Sequence, residues 1–174
     1  MNVLVTGGAG SIGSECVRQL TATGHTVRVA DVNEEGLWLL STELPIVDCM
    51  LADIQFEDDL KAALADVEAI IHCAAYKPVH YCERSPFACQ RVNGYAVKQL
   101  AELAAGRRIV LLSTDKAVAP HSWMGRSKRL AESILLGKDC NANVVRFGNV
   151  IGSRGSLVPA VIRYRDLGKP IPLT

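Results

Sequence analysis

In 3-VLVTGGAGSIGSE-15, a short apolar run passes into a glycine-rich turn and then into a helical pattern. Gly7, Gly10 and Gly13 give the turn a GxxGxxG spacing. The early glycines let the backbone turn tightly and approach a pyrophosphate, and the last lets the helix pack close to the strand. The stretch therefore predicts a strand, a phosphate-binding turn and a helix that together bind a dinucleotide.

Ser11 and Ile12 stand at the helix N-terminus, where unpaired N–H groups and the positive end of the helix dipole face the phosphates. The acid that such a site also needs follows the second apolar run. Asp31 follows 26-TVRVA-30, and its carboxylate would accept hydrogen bonds from both adenosine ribose hydroxyls. Because this carboxylate would repel a 2′-phosphate, the sequence favours NAD over NADP as cofactor.

Two pairs of residues after later strands extend the predicted cofactor site. Asp53 and Ile54 follow the third apolar run, where they are placed to touch the adenine. A helix cap is the alternative interpretation of Asp53, since aspartate is common directly before a helix. Ala74 and Ala75 follow the fourth run, and their small side chains would let the cofactor cross the edge of the sheet.

Short apolar runs alternate with helical patterns along the chain. The predicted strands are 3–5, 26–30, 47–51, 69–73, 109–112 and 144–147. The predicted helices lie near 12–23, 34–42, 57–66, 87–105 and 123–137. Continuous apolar strands separated by helices predict an α/β fold, a doubly wound parallel sheet covered on both faces. An antiparallel α+β domain is the alternative, but its strands would alternate apolar and polar residues.

Composition and charge exclude several classes of partner. A chain of 174 residues with a formal net charge of +1 predicts one domain without affinity for nucleic acid. No apolar run reaches the roughly 20 residues that span a bilayer, and the N-terminus leaves no room for a signal peptide, so we expect a cytoplasmic protein without a membrane partner. The six cysteines form no CxxC pair. His80, Cys82 and Cys89 fit no familiar zinc spacing, so no metal site is expected.

A polar run, 113-STDK-116, follows the fifth predicted strand. Thr114, Asp115 and Lys116 therefore stand at the carboxyl end of a strand, which is where a doubly wound sheet binds its ligands. Carboxylate and amine groups are also the usual acids and bases of catalysis. A polar turn that closes the strand is the alternative interpretation.

Five motifs resemble the extended short-chain dehydrogenase/reductase superfamily, from residue 2 to about residue 165: TGGAGSIGSE, HCAAYKPV, STDKAV, MGRSKRLAE and RFGNVIGSRGS. STDKAV and GNVIGSRGS narrow the resemblance to the UDP-N-acetylglucosamine 4,6-dehydratases of bacterial polysaccharide, capsule and protein-glycan synthesis. The resemblance implies a Rossmann fold that binds NAD, and a lyase that acts on a UDP-N-acetylhexosamine. It also places Met124 where most superfamily members have tyrosine, as in a subset of the dehydratases.

The resemblance implies a role for each polar residue near the fifth strand. Hydride transfer from sugar C4 to NAD makes a ketone that acidifies the C5 proton, and loss of the C6 hydroxyl follows. Thr114 is implied to bond the C4 hydroxyl, and Asp115 to accept its proton and act as the acid toward C6. Lys116 is implied to be the base at C5, which leads us to expect a buried lysine beside other cations. Lys128 is implied to hold the nicotinamide ribose.

Substrate contacts also follow from the resemblance. Asn149 is implied to contact the sugar or its phosphate, and Arg154 the UDP diphosphate, with a solvated loop charge as the alternative for Arg154. Tyr76 and Lys77 match a loop beside the nicotinamide and the sugar, although Tyr76 also fits a core aromatic. Asn93 matches a helical position that supports the active-site strand.

The resembled dehydratases continue into a smaller C-terminal substrate domain. We therefore interpret residues 1–174 as an NAD-binding domain in which 149–174 begin the substrate-binding part, and expect the substrate domain to be largely absent. Two alternatives stay open: a truncated, non-catalytic NAD-binding or assembly module, and a sugar-nucleotide epimerase, which usually relies on the tyrosine that Met124 replaces. The superfamily also implies a homodimer through the helices near 87–105 and 123–137.

Overall fold

Six parallel strands form one sheet in the computed structural model, which describes residues 1–104, 106–137 and 140–171. The strands are β1 (Asn2–Thr6), β2 (Thr26–Asp31), β3 (Asp48–Leu51), β4 (Ala69–His72), β5 (Arg108–Thr114) and β6 (Ala142–Phe147). Their order is β3-β2-β1-β4-β5-β6, with every neighbouring pair parallel. Strand order therefore reverses between β1 and β4, and ligands of such a sheet bind at the carboxyl ends beside this reversal.

Helices connect the strands and cover both faces of the sheet. Within the described residues they are α1 (Ser11–Ala22), α2 (Glu34–Glu43), α3 (Glu57–Ala63), α4 (Val79–Arg84), α5 (Pro86–Gln90), α6 (Ala96–Leu103), α7 (Trp123–Gly137) and α8 (Leu157–Asp166). A π-helical turn, Arg91–Tyr95, joins α5 to α6, and a 3₁₀ turn, Asp115–Ala117, follows β5.

The predicted doubly wound α/β fold is confirmed, and each predicted strand and helix has a counterpart. The predicted helix 87–105 is in fact divided into α5, the π-helical turn and α6. Helices α4 and α8 were not predicted from the sequence. Residue 105 and the last residues of the predicted substrate-binding part, 172–174, lie outside the described residues.

The core lies in two layers, one on each face of the sheet. Leu4, Ile70 and Leu111 belong to the larger layer, and Val5 and Val29 to the smaller one. Successive residues of β1 thus enter opposite layers, which is why a parallel strand reads as a continuous apolar run. Full burial of one such side chain contributes roughly 1.5–3 kcal/mol.

The two layers do not extend to the end of the chain. β6 is the edge strand of the sheet, and α8 contains no buried residue. Every described residue from 149 to 171 is exposed or half-buried. This segment therefore lies on the surface of the sheet domain, close to the carboxyl ends of the strands.

Candidate active site

The glycine turn between β1 and α1 has no space for side chains at two of its positions. Gly7 has φ +67°, and a Cβ there would lie 2.5 Å from the main-chain nitrogen of Ala74. A Cβ on Gly13 would lie 2.3 Å from the carbonyl oxygen of Gly7. The end of β4 and the start of α1 thus press directly on the turn, leaving bare main chain at the helix N-terminus, as a phosphate site requires.

Asp31 fastens this turn to the end of β2. Its Oδ2 accepts a 2.9 Å hydrogen bond from the main-chain N–H of Ala9, and its Oδ1 accepts one of 2.9 Å from Asn33. A carboxylate has about four lone-pair positions, so each oxygen keeps capacity for a further donor. Asp31 is half-buried and stands beside the turn, where the sequence predicts contact with the cofactor ribose.

The predicted adenine contacts, Asp53 and Ile54, lie in the turn segment before α3. Asp53 Oδ1 accepts a 2.9 Å hydrogen bond from the main-chain N–H of Gln55, while the residue that caps α3 is Phe56. The helix-cap alternative for Asp53 is therefore wrong, because its side chain closes the turn instead. Ile54 is a member of the larger core layer, so little of its side chain is open to a ligand.

Four of the predicted catalytic and substrate residues meet at the carboxyl end of β5. Thr114 Oγ1 donates to Asp115 Oδ1 at 2.9 Å, and Lys116 Nζ donates to the same oxygen at 3.1 Å. Lys116 Nζ also lies 3.3 Å from Asn149 Oδ1, after β6. The contacts with Lys116 and then Thr114 lower the pKa of Asp115. These contacts therefore favour the ionised carboxylate of Asp115, which accepts hydrogen bonds.

One expectation about this group is wrong. The resemblance led us to expect Lys116 to be buried beside other cations, which favours a neutral lysine. Its side chain is 40% exposed, and it forms an ion pair with Asp115. Periodicity places Lys116 at a strand end but carries no information on which charge the fold brings to it.

Lys128 has the buried environment that the resemblance leads us to expect for Lys116. Lys128 on α7 is only 6% exposed, and its Nζ donates a 2.6 Å hydrogen bond to the carbonyl of Leu112 on β5. Burial lowers the pKa of Lys128 to about 8, against the opposing effects of Cys73, Glu132 and Cys89. Lys128 can therefore change its charge close to neutral pH.

Met124, which the resemblance places where most superfamily members have tyrosine, is buried in an apolar cluster. It is 7% exposed and clusters with the fully buried Cys82 and Cys89. Trp123 packs against the same cluster, and its main-chain N–H donates to Glu83 Oε1 at 2.7 Å, which satisfies one free donor at the start of α7. The side chain of Met124 thus stabilises the junction between α4, α5 and α7.

The contacts of Asn93 in the π-helical turn are with the segment after β4 and with α7. Asn93 Oδ1 accepts from the main-chain N–H of Tyr76 at 2.7 Å, and Nδ2 donates to the carbonyl of Tyr76 and to Ser127 Oγ, both at 2.9 Å. The amide therefore clamps the segment after β4, which also contains Ala74 and Ala75. The Tyr76 side chain is 37% exposed, so the alternative of a core aromatic is wrong.

Arg154, which the resemblance places at the UDP diphosphate, lies in a loop that contacts the start of α1. The main-chain N–H of Arg154 donates to Ser11 Oγ at 2.9 Å, and Lys77 Nζ donates to the carbonyl of Arg154 at 2.6 Å. Partial burial and then the charge of Arg154 lower the pKa of Lys77. The Arg154 residue is itself exposed, so the solvated-charge alternative stays open for its guanidinium.

Two buried polar groups near the site were not predicted from the sequence. His72 Nδ1 is 2.8 Å from Thr6 Oγ1, and burial lowers the pKa of His72 to about 3, so the imidazole is neutral. Glu132 lies 2.5 Å from Ser113 Oγ, although it is only 2% exposed. The spacing of Glu132 four residues after Lys128 is a signal that could have found it, since both face the same side of α7.

The cysteines do not assemble a metal site. Within residues 1–104, 106–137 and 140–171, no three histidine, cysteine or acidic side chains lie together in a way that could hold an ion. Cys82 and Cys89 are buried in the Met124 cluster, whereas the ring of His80 lies 4.0 Å from that of Tyr81.

Residues 3–174 match the protein family described as polysaccharide biosynthesis protein, so the chain belongs to that family. An uncharacterized membrane protein of Methanocaldococcus jannaschii is 40% identical over an alignment of 185 positions, which covers 99% of this chain and 56% of that protein. Among the described residues of our chain, no helix combines the length and apolar character needed to cross a bilayer.

Named enzymes are among the relatives. A UDP-N-acetylglucosamine 4,6-dehydratase (inverting) of Campylobacter jejuni is 28% identical over an alignment of 188 positions, which covers 99% of this chain and 56% of the enzyme. A UDP-glucose 4-epimerase of Rickettsia massiliae is also 28% identical, over 99% of this chain and 55% of the epimerase. The resemblance to the sugar-nucleotide dehydratases that was inferred from the motifs is therefore confirmed. The chain spans about half the length of these relatives.

A solved enzyme has the same fold. The dTDP-glucose 4,6-dehydratase DesIV of Streptomyces venezuelae, solved with NAD bound, is 26% identical and superposes with a TM-score of 0.89. The match covers 99% of this chain and 64% of that one. The described sheet and helices therefore have the same fold as this dehydratase.

Proposed function

We propose that this chain forms the NAD-binding and proton-transfer half of a sugar-nucleotide 4,6-dehydratase, which converts UDP-N-acetylglucosamine to a 4-keto-6-deoxy sugar nucleotide for polysaccharide or glycan synthesis. The observation that carries the proposal is the cluster of Thr114, Asp115, Lys116 and Asn149. Elimination of water across C5 and C6 needs an acid and a base beside the same sugar. This cluster supplies a carboxyl group and an amine that touch one another.

NAD is the proposed cofactor, and the residues present fit it. The turn leaves room only for main chain at Gly7 and Gly13, and Asp31 has free lone pairs for ribose hydroxyls. NAD, when bound, supplies the hydride acceptor for C4 and the hydride donor for C6. Lys128 is proposed to hold the nicotinamide ribose, and Ala74 stands where the turn meets β4.

Asp115 is proposed to carry the proton that leaves the C4 hydroxyl. Its lowered pKa means that it begins as a carboxylate, able to accept this proton while Thr114 holds one of its oxygens. Once protonated, Asp115 is the acid that gives the proton to the departing C6 hydroxyl, which leaves as water. A single carboxyl group thus returns to its starting state after the elimination.

Lys116 is proposed to take the proton from C5 and later to return it. Its Nζ lies between Asp115 and Asn149, so a substrate that enters here must displace the contact with the carboxylate. Displacement of the anion and cover by the sugar would both lower the proton affinity of Lys116. Asn149 would then keep the amine in place.

The epimerase alternative is disfavoured by the buried thioether of Met124. A thioether cannot exchange a proton, and the packing of Met124 against Cys82 and Cys89 leaves no hydroxyl at that position. A non-catalytic NAD-binding or assembly module is the second candidate, because the proposed substrate residues 149–171 contain no buried side chain. That candidate predicts NAD binding without turnover.

A homodimer is part of the proposal. Tyr95, beside α6, and Leu130, on α7, are apolar side chains with exposed surface on the two helices that the superfamily uses for pairing. Light scattering of Tyr95→Glu and of the unchanged protein tests this arrangement. The proposal expects dimers that the glutamate separates. The proposed substrate and cofactor are cytoplasmic metabolites, so the cytoplasm is the proposed location.

Mass spectrometry of the protein incubated with NAD and UDP-N-acetylglucosamine tests the function. The proposal expects a sugar nucleotide that has lost one water, without accumulation of NADH. Conversion of UDP-glucose to UDP-galactose under the same conditions would favour the epimerase. Binding of NAD with no change in either sugar nucleotide would favour the non-catalytic module.

A further inference from the structure

Glu132 is a buried charged residue that the proposed chemistry does not use. Its carboxylate accepts from Arg146 Nε at 3.0 Å and Nη2 at 2.6 Å, and from Ser113 Oγ at 2.5 Å. Arg146, Ser113 and then Arg129 lower the pKa of Glu132, so it stays ionised although only 2% of it is exposed. Burial of an ionised carboxylate destabilises the folded protein unless all of its partners are in place.

The partners of Glu132 lie directly behind the proposed catalytic cluster. Ser113 is the residue before Thr114 on β5, and Arg146 is its neighbour across the ladder on β6. One carboxylate therefore joins the carboxyl ends of two strands, the strand that leads to Thr114 and Asp115 and the strand that leads to the Asn149 segment.

The same helix fastens the cofactor lysine to the same strand. Lys128 and Glu132 are one turn apart on α7, and they bond to successive residues, the carbonyl of Leu112 and the hydroxyl of Ser113. We propose that Glu132 is a positioning residue, which fixes the proton-transfer cluster of β5 relative to Lys128. This inference rests on the proposed function, because it names what holds that site in register.

The charge of Glu132 has a second effect that a neutral support would lack. The groups facing Lys128 are His72 at the end of β4, Cys73 directly after it, Cys89 from α5 and Glu132 from its own helix. Of these, Cys73, Glu132 and Cys89 raise the pKa of Lys128, whereas burial lowers it. Removal of the Glu132 charge must therefore lower the pKa of Lys128 further.

Two variants separate positioning from simple support. Glu132→Gln keeps the shape of the side chain and removes its charge, and Ser113→Ala removes only the contact with β5. Both are expected to lower kcat by about tenfold to a hundredfold with little change in KM, since a displacement of about 1 Å has that effect. Glu43→Gln, which breaks an exposed pair with Arg18, is the matched control and should keep wild-type kcat.

A pH series of NAD affinity adds a readout that needs no turnover. Affinity of the unchanged protein should fall as pH rises through about 8, where Lys128 loses its charge. The fall should begin at lower pH in Glu132→Gln and at the same pH in Ser113→Ala. A variant with only weakened folding would show a lower melting temperature and an unmoved pH profile.

Either of two results would overturn the positioning role of Glu132: turnover of Ser113→Ala at the wild-type kcat, or an unmoved pH profile of NAD affinity in Glu132→Gln. If Glu132→Gln does not fold, kcat of Ser113→Ala alone decides. If the unchanged protein makes no dehydrated product, the proposed function fails, while a shifted NAD profile in Glu132→Gln still supports its action on Lys128.

Discussion

The main-chain N–H of Arg154 donates a 2.9 Å hydrogen bond to Ser11 Oγ, which fastens the segment after β6 to the first residue of α1. Lys77, after β4, bonds the carbonyl of the same Arg154. Three connections that are distant in sequence therefore meet above the glycine turn. The proposed substrate loop and the proposed cofactor turn share one contact.

Replacement of Ser11 by alanine should loosen this loop. One hydrogen bond contributes about 1 kcal/mol, so hydrogen exchange of the Arg154 amide should become about fivefold faster. Ser133→Ala, which removes a hydroxyl bonded to the Arg129 carbonyl on α7, is the control and should leave that amide unchanged. Equal exchange at Arg154 in the Ser11 variant and the unchanged protein would show that the contact does not hold the loop.

Alanine at Gly13 should damage both folding and NAD binding. Its Cβ would lie 2.3 Å from the Gly7 carbonyl, so α1 must shift away from the turn at a cost of about 1–3 kcal/mol. A Cβ at Gly137, the last residue of α7, would meet nothing within 4 Å, and Gly137→Ala should be neutral or slightly stabilising. Thermal unfolding and NAD titration of the two variants give the comparison. Similar melting temperatures would contradict the close packing of turn and helix.

Asparagine at Asp31 should weaken NAD binding by at least about tenfold, because it removes a charged acceptor for the ribose hydroxyls. It also leaves one of the N–H groups of Ala9 and Asn33 without its oxygen. Discrimination against NADP should fall at the same time, since repulsion of a 2′-phosphate is lost. Asp48→Asn, which breaks an exposed pair with Arg28, serves as control. Unchanged NAD affinity in Asp31→Asn would remove this residue from the cofactor site.

The sheet and the glycine turn could be predicted because both follow from local pattern. Residues 3–5 of β1 form a continuous apolar run because Leu4 and Val5 enter different core layers. The requirement for Gly7 and Gly13 follows from close approach of main chain, which the GxxGxxG spacing encodes. Helix α8 was missed although Ser156 precedes it and Pro159 lies in its first turn, because no residue of α8 is buried and its apolar pattern is weak.

The environments of the two lysines could not be predicted from sequence spacing. Lys116 and Lys128 are each near a strand end or helix start, yet only Lys128 is buried. Burial of Lys128 depends on the packing of α7 against β5 and β6, whereas the partner of Lys116 is its own neighbour, Asp115. Helix packing therefore decides the burial of Lys128, and side-chain orientation decides that Lys116 pairs with Asp115; residue spacing encodes neither.

The buried Lys128 should make stability depend on pH. Its folded pKa of about 8 lies below the ordinary lysine value of 10.5, so between these pH values the unfolded chain binds a proton that the folded chain has released. The free energy of unfolding should therefore rise with pH across this window, by up to about 3 kcal/mol relative to Lys128→Met. Denaturant unfolding of both proteins across the window between these two pKa values measures the difference. A difference that does not vary with pH would contradict the burial of the ammonium group.

Replacement of Asp115 by asparagine removes the group that is proposed to transfer the protons of the dehydration. An amide keeps the size of the side chain but cannot accept and return a proton. With NAD and UDP-N-acetylglucosamine, mass spectrometry should show formation of the dehydrated sugar nucleotide falling by about a hundredfold or more, while NAD affinity stays within about twofold. Dehydration at the unchanged rate by Asp115→Asn would rule out Asp115 as the group that transfers these protons.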